Sequence, residues 1–162
     1  MSAHDYSFPA IDRGTVKLAD FKGKPVLVVN TASECGYTPQ YAGLEKLWRT
    51  YRERGLVVLG VPSNDFGAQE PGAGPAIKSF CQTNYGVDFP LTAKQTVIGG
   101  NAHPFYRWVV AELGEAAAPK GATGFGVRLL DRFVADCCEE AARDSRGRAQ
   151  RASTSARPRS RR

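Results

Sequence analysis

The sequence of 162 residues has the length of one domain, and its hydrophobic fraction of 42% is sufficient for a single core. It has no run of about eighteen apolar residues and no basic start followed by an apolar segment, so we expect a soluble, cytoplasmic protein. The net charge of +6 would suit nucleic-acid binding, but eight of the 22 basic residues lie in residues 143–162, and the preceding chain is nearly neutral.

The first part of the chain predicts a hairpin followed by two strands. Tyr6, Phe8 and Ile11 are interspersed with polar or small residues, and residues 15–18 follow a turn that contains glycine, which predicts a short β-hairpin. The apolar run 26–29 predicts a strand buried on both faces and central in a sheet. Residues 56–61 form a second run of strand length, directly after Gly55.

The segment between these two strands predicts an amphipathic helix that ends at Gly55. Large apolar residues recur on one face with helical spacing: Tyr41, Leu44, Leu47, Trp48 and Tyr51. Charged residues occupy the other side: Glu45, Lys46, Arg49, Arg52 and Glu53. A right-handed crossover through this helix makes the two strands parallel.

The remaining elements complete an α/β body. A loop rich in Pro, Gly, Asn and Asp covers residues 62–75, and helices are predicted at 76–83 and 103–113, with a short strand near 89–92 between them. We expect residues 1–120 to form the domain, 121–142 a divergent segment, and 143–162 an Arg-rich disordered tail.

The cysteines indicate catalysis rather than metal binding. None of the four forms a C-x-x-C pair, which argues against a zinc knuckle or a dithiol motif. A reducing cytosol would keep a static disulfide open, so a functional cysteine would be catalytic. Cys137 and Cys138 lie in the divergent segment and are interpreted as incidental.

Cys35 follows the first buried strand, in the loop that leads to the long helix. Reactive groups of open α/β sheets lie beyond the carboxyl ends of the strands. A helix N-terminus favours the thiolate, which is the nucleophilic form of a cysteine. Position alone leaves two interpretations open, a reactive thiol or a small buried apolar residue.

Three stretches resemble the glutathione peroxidase family. Residues 29–38, Val-Asn-Thr-Ala-Ser-Glu-Cys-Gly-Tyr-Thr, are similar to its active-site loop. Residues 59–72, Leu-Gly-Val-Pro-Ser-Asn-Asp-Phe-Gly-Ala-Gln-Glu-Pro-Gly, are similar to its second signature, although Asp65 stands where glutamine is common. Residues 80–90 resemble the block that carries the resolving cysteine of thioredoxin-dependent members.

The resemblance, to bacterial cysteine-type members in particular, implies a thioredoxin-like fold with an N-terminal hairpin and a central mixed sheet. It implies that Cys35 attacks the peroxide, that Gln69 hydrogen-bonds its sulfur, and that Cys81 resolves the sulfenic acid as a disulfide. Without the family, Gln69 would be an ordinary loop residue and Cys81 a structural helix cysteine. The resemblance implies that thioredoxin is the reductant in preference to glutathione and that no metal or organic cofactor is needed. It also implies a monomeric protein.

The resemblance ends near Lys120. Family members continue with a Trp-Asn-Phe motif whose Trp and Asn complete the active site, whereas residues 121–126 read Gly-Ala-Thr-Gly-Phe-Gly. We interpret the ending as out of frame, with the last strand and helix disrupted. Trp48 and Trp108 lie on helical patterns and are expected to be core residues rather than substitutes.

The function predicted is that of a thiol peroxidase in the response to oxidative stress, which reduces hydrogen peroxide or organic and lipid hydroperoxides through a cysteine sulfenic acid. Two alternatives stay open at this point. One is an impaired or inactive relative that lacks its last elements. The other is non-specific nucleic-acid binding through the tail, although no aromatic residue follows Phe133 to stack on bases.

Overall fold

The structure, a computed structural model, describes residues 2–113. It begins with two short antiparallel strands, β1 (Ser7–Pro9) and β2 (Thr15–Lys17). Phe8 on β1 is fully buried, whereas its neighbours along the strand are exposed, so one face of the hairpin packs on the core. The predicted hairpin is confirmed.

A strand, a helix and a parallel strand follow, as predicted: β3 (Val26–Thr31), α1 (Gln40–Tyr51) and β4 (Val57–Pro62). Burial corrects one expectation, because β4 is buried throughout whereas residues 26–30 of β3 are only half-buried. Within residues 2–113, β3 pairs with β4 alone, while β4 also has a bridge to Leu91 on its other edge. Within that range β4, not β3, is the more central strand.

The short strand expected near 89–92 is reduced to two isolated bridges. Leu91 bridges to Gly60 in parallel, and Thr92 bridges to Ala10 in the antiparallel sense. Gly60 permits this approach, since a Cβ atom there would lie 2.5 Å from Cδ2 of Leu91. In the described residues, the expected central mixed sheet therefore consists of two two-stranded sheets joined by these bridges.

Helix α1 has the predicted apolar face, but Glu45 is an exception on its charged side. Glu45 is only 5% exposed. Its carboxylate accepts hydrogen bonds from Nε of Arg49 and, at 3.0 Å, from the backbone N–H of Asp88. Glu45 lies on the charged side of the helix as predicted but is buried there, and the N–H of a residue 43 positions along the chain pairs with its charge. Helix α1 ends at Tyr51, and a single turn leads to Gly55 in the left-handed conformation.

Two further helices, α2 (Gly74–Tyr85) and α3 (Pro104–Leu113), match the predicted segments to within two residues. Strand β4 divides the core, with Val58 facing α1 and α2 and with Leu59 and Val61 facing the hairpin and α3. The expectation that both tryptophans belong to the core is confirmed, since each packs half-buried against one of these clusters.

The predicted segments 121–142 and 143–162, with Cys137 and Cys138, lie outside the described residues. Among residues 2–113, no helix has the length and apolar character needed to cross a membrane.

Candidate active site

Cys35 lies in the loop between β3 and α1, and Thr38 shapes that loop. The Thr38 hydroxyl accepts a hydrogen bond from the Cys35 N–H at 2.9 Å and donates one to the Ala32 carbonyl at 3.0 Å. Helix α1 begins five residues after Cys35, so the thiol precedes the helix by a turn instead of standing at its first residue. The N–H of Tyr37 lies 3.5 Å from the sulfur and donates to it.

Cys35 and Gln69 line the same cavity, which has a volume of about 410 Å³. Both residues are half-buried. Apolar walls come from β3, α1 and the loop after β4: Val29, Tyr41, Leu44 and Phe66. Polar groups line the same space: Asn30, Thr31, Gln40 and Gln69. The cavity therefore offers a thiol, an amide and an apolar surface to one small ligand.

The loop that carries Gln69 is fixed by hydrogen bonds to two other segments and by one within the loop. The Gln69 carbonyl accepts the N–H of Glu34 at 3.0 Å, which joins this loop to the Cys35 loop. Oδ1 of Asn64 accepts the N–H of Glu70 at 2.9 Å, and Nζ of Lys94 donates to the Glu70 carbonyl at 3.0 Å. A tight turn precedes Gln69, since Ala68 has a positive φ of 55°.

Asp65, which departs from the family signature, has a structural contact of its own. Its Oδ2 accepts the backbone N–H groups of Val97 at 2.6 Å and Ile98 at 3.2 Å. These bonds join the start of the Gln69 loop to the turn before α3. A carboxylate that accepts two N–H groups makes stronger hydrogen bonds than a neutral amide would.

Cys81 is not part of this cavity. It lies on α2, is fully buried, and packs in the cluster that also contains Tyr41 and Ile77. Burial raises the pKa of the Cys81 thiol; interaction with the Tyr41 hydroxyl opposes this shift and the charge of Glu70 adds to it. Both described cysteines are free. The structure thus brings Cys35 and Gln69 together but keeps Cys81 apart from them.

Glu70, the residue after Gln69, was not among the residues predicted for the site. Glu70 has no solvent exposure, and neither of its carboxylate oxygens has a hydrogen-bond partner of normal geometry within residues 2–113. Burial raises the pKa of Glu70, and interactions with Ser33 and Lys94 offset this only in part. Its position beside Gln69 in the second signature could have marked Glu70 as a site residue. Its burial was not predictable, because an acidic residue in a polar loop is usually exposed.

Residues 2–113 contain no group of three or more His, Cys, Asp or Glu side chains placed to ligate a metal ion. The chemistry available at the cavity is that of a thiol beside an amide.

In this thioredoxin-like fold, a half-buried cysteine follows β3, the first strand of the parallel pair. This arrangement is typical of thiol-dependent oxidoreductases. The pattern of the family described as "Glutathione peroxidase" matches residues 3–110. The chain belongs to the glutathione peroxidase family. It is therefore a peroxidase that works through a thiol.

Named relatives and a solved structure agree with this assignment. The chain is 50% identical over 116 residues to the hydroperoxy fatty acid reductase gpx1 of Synechocystis. The aligned stretch covers 72% of this chain and 69% of the relative. It is 52% identical over 121 residues to the glutathione peroxidase-like peroxiredoxin gpx1 of Schizosaccharomyces pombe, covering 75% and 77%. The crystal structure of Trgpx in its apo form is similar with a TM-score of 0.65 and 28% identity, covering 86% of this chain and 96% of that one.

Proposed function

We propose that Cys35 is the residue that reduces the hydroperoxide. Its thiolate attacks the O–O bond, water or an alcohol leaves, and the sulfur becomes a sulfenic acid. The observation that carries this proposal is the cavity in which the half-buried Cys35 and Gln69 both lie. A fully buried thiol could not meet a peroxide without a rearrangement, and Cys35 does not need one.

Gln69 is proposed as the hydrogen-bond donor of this site. A side-chain amide can donate to a thiolate or to the peroxide oxygen on which negative charge develops. The bond from the Glu34 N–H to the Gln69 carbonyl supports this role, because it holds the backbone of Gln69 against the Cys35 loop. The donor is then positioned before the substrate arrives.

The substrate proposed is hydrogen peroxide or an organic hydroperoxide, including a lipid hydroperoxide. The apolar side chains of Tyr41, Leu44 and Phe66 along the cavity support an organic substituent, because hydrocarbon gains free energy when it leaves water. The Synechocystis relative is named for hydroperoxy fatty acids, which agrees with such a substituent.

Cys81 is proposed to resolve the sulfenic acid by forming a disulfide with Cys35, which thioredoxin then reduces. Cys81 is fully buried and does not line the Cys35 cavity, so we expect a local rearrangement to bring the two sulfurs within bonding distance. The peroxiredoxin name of the Schizosaccharomyces pombe relative supports a thioredoxin-type reductant. Glutathione is the second candidate reductant, and the reaction needs thiols rather than an organic cofactor or a metal.

We also propose that the protein is cytoplasmic and monomeric. The divergent segment 121–142 is expected to lower its activity relative to family members that carry the Trp-Asn-Phe motif. Membership of the family does not favour nucleic-acid binding through residues 143–162 as the main function.

The test is a peroxide-consumption assay on the full chain, with thioredoxin plus its reductase or with glutathione as reductant. We expect Cys35→Ser to reduce consumption to the uncatalysed rate. Cys81→Ser should retain one rapid turnover and lose thioredoxin-dependent turnover. Cys138→Ser serves as the matched cysteine control and should leave both unchanged. Full turnover in the Cys35→Ser variant would refute the proposal.

A further inference from the structure

Among the described residues, no Lys, Arg or His side chain lines the Cys35 cavity, although the proposed reaction moves negative charge through it. When the Cys35 thiolate attacks a hydroperoxide, the charge passes from the sulfur to the departing oxygen. Neutral N–H groups are then the donors available to stabilise that charge. Three side-chain amides line the cavity and carry such groups: Asn30, Gln40 and Gln69.

Asn30, near the end of β3, is the cavity amide that a buried side chain holds in place. Its Oδ1 atom accepts a hydrogen bond of 2.7 Å from the hydroxyl of Tyr106 on α3. Tyr106 is 5% exposed and packs edge-on against Phe8 and Phe105, with ring centroids 6.3 and 5.3 Å apart. The N–H of Tyr106 donates to the carbonyl of His103 at 2.9 Å. These contacts fix the Tyr106 hydroxyl, and the hydroxyl fixes the amide of Asn30.

The Tyr106 hydroxyl also sets the orientation of that amide. Burial raises the pKa of Tyr106, so its hydroxyl stays protonated and remains a donor. The amide oxygen of Asn30 therefore faces α3, and the amide nitrogen points away from Tyr106. Within residues 2–113, Nδ2 of Asn30 makes no hydrogen bond, and it is not among the buried side-chain atoms that lack a partner. This N–H donor is thus accessible, at a residue that lines the Cys35 cavity.

We propose that Asn30 is a catalytic residue whose Nδ2 group donates a hydrogen bond to the departing oxygen of the hydroperoxide, and that Tyr106 is its positioning residue. This inference rests on the proposed role of Cys35. The Cys35 sulfur forms an S–O bond with one peroxide oxygen while the O–O bond breaks, so the sulfur is oxidised and the peroxide is reduced. The other oxygen departs as hydroxide or alkoxide and takes up a proton from water.

The test compares two reactions of Cys35 in the full chain, oxidation by hydrogen peroxide and alkylation by iodoacetamide. Both reactions need the thiolate, but the group that leaves in alkylation is iodide, which needs little help from a hydrogen-bond donor. Single-turnover samples are quenched at intervals. Mass spectrometry of the Cys35 peptide then measures the alkylated thiol, or the sulfenic acid trapped with dimedone.

The variants are Asn30→Ala, Asn30→Asp, Tyr106→Phe, and Asn30→Ala combined with Tyr106→Phe. Asn30→Asp keeps the size of the side chain and the oxygen that accepts from Tyr106, but it has no N–H group. Asn84→Ala, at an exposed position on α2, is the control for the loss of an amide. Tyr85→Phe is the control for the loss of a hydroxyl, because Tyr85 packs against the other core cluster and does not line the cavity.

We expect Asn30→Ala to slow oxidation about tenfold and to change alkylation by less than about twofold, because only oxidation loses a hydrogen bond to a developing charge. Asn30→Asp should be oxidised at least as slowly. Tyr106→Phe should slow oxidation about threefold, since the amide can then turn. Combined with Asn30→Ala, it should have no further effect. Both controls should react as the unmodified protein does.

An unchanged oxidation rate in Asn30→Ala, or an equal slowing of oxidation and alkylation, would overturn the role of Asn30 and leave that of Cys35 in place. A further slowing when Tyr106→Phe is added to Asn30→Ala would overturn the positioning role of Tyr106. Urea denaturation checks that each variant is folded, and Asn30→Asp decides the question if Asn30→Ala is not. Failure of the unmodified protein to form the sulfenic acid would overturn the role of Cys35 and this inference with it.

Discussion

The two described cysteines occupy opposite kinds of environment. Cys35 lies half-buried in a loop beside a cavity, whereas Cys81 is fully buried in a helix and packed among apolar side chains. A thiol that must meet a small peroxide needs access, and Cys35 has it. A thiol that acts only after oxidation can be kept in the core until a rearrangement releases it. The comparison indicates that core stability around α2 and chemistry at the cavity can be changed separately.

The largest expected effect is on the Cys81 side. Ile77 lies one helical turn before Cys81 and is 1% exposed. Ile77→Ala should lower the free energy of unfolding by about 2–5 kcal/mol, because it leaves a cavity in a packed core. It should also make Cys81 react faster with a thiol reagent in the native protein, since α2 opens more often. Urea denaturation and timed alkylation measure the two effects.

The control for this change is Val29→Ala, a truncation on the wall of the Cys35 cavity, where the side chain is only half-buried and lies outside the core cluster that contains Cys81. It should cost less stability and leave the alkylation of Cys81 nearly unchanged. Equal effects of Ile77→Ala and Val29→Ala on Cys81 alkylation would show that the two regions are not independent.

The next effect is on the Cys35 side. Gln69→Ala should slow the reaction of Cys35 with peroxide about a hundredfold, the usual consequence of losing one donor to a developing negative charge. Stopped-flow measurement of a single turnover gives this rate, and thermal unfolding should be little changed. The matched control is Gln82→Ala, at an exposed position on α2. In this variant, Cys35 should react with peroxide at the rate of the unmodified protein. A normal rate in Gln69→Ala would remove Gln69 from the site.

The smallest effect concerns Glu70, which interacts with both regions through Ser33 and Cys81. Because burial raises its folded-state pKa above the ordinary value of 4.5, the unfolded chain loses this proton first as the pH rises. The stability that the group contributes is complete below pH 4.5 and is lost as the pH rises through the folded-state pKa. Glu70→Gln should remove this loss, so its advantage in unfolding free energy should grow from pH 4.5 towards neutrality.

Urea denaturation at a series of pH values measures this dependence. Glu53→Gln is the control: Glu53 is exposed and is not among the groups that act on Glu70, so the variant should keep the pH dependence of the unmodified protein. If Glu70→Gln follows the same pH dependence as the unmodified protein, the carboxyl is not perturbed by its burial.

The candidate site was only partly predictable. The loop containing Cys35 and the one containing Gln69 each follow a predicted strand, and the ends of parallel strands meet at one edge, which explains why the two side chains share a cavity. The packing of Tyr41 and Cys81 in one core cluster was not predictable, since the helical pattern placed Tyr41 only on the apolar face of its helix. It depends on how α1 packs against α2, and periodicity along one helix carries no information about a partner helix.

The sequence by itself determined the order and type of the main elements, because apolar spacing and the positions of glycine act within a few residues of the chain. Tertiary structure alone decided which polar groups are buried. The carboxylate of Glu45 accepts the N–H of Asp88, whereas Glu70 is fully buried within a loop that Lys94 holds through the Glu70 carbonyl. Burial of a charge depends on partners distant in the chain, and no local pattern records them.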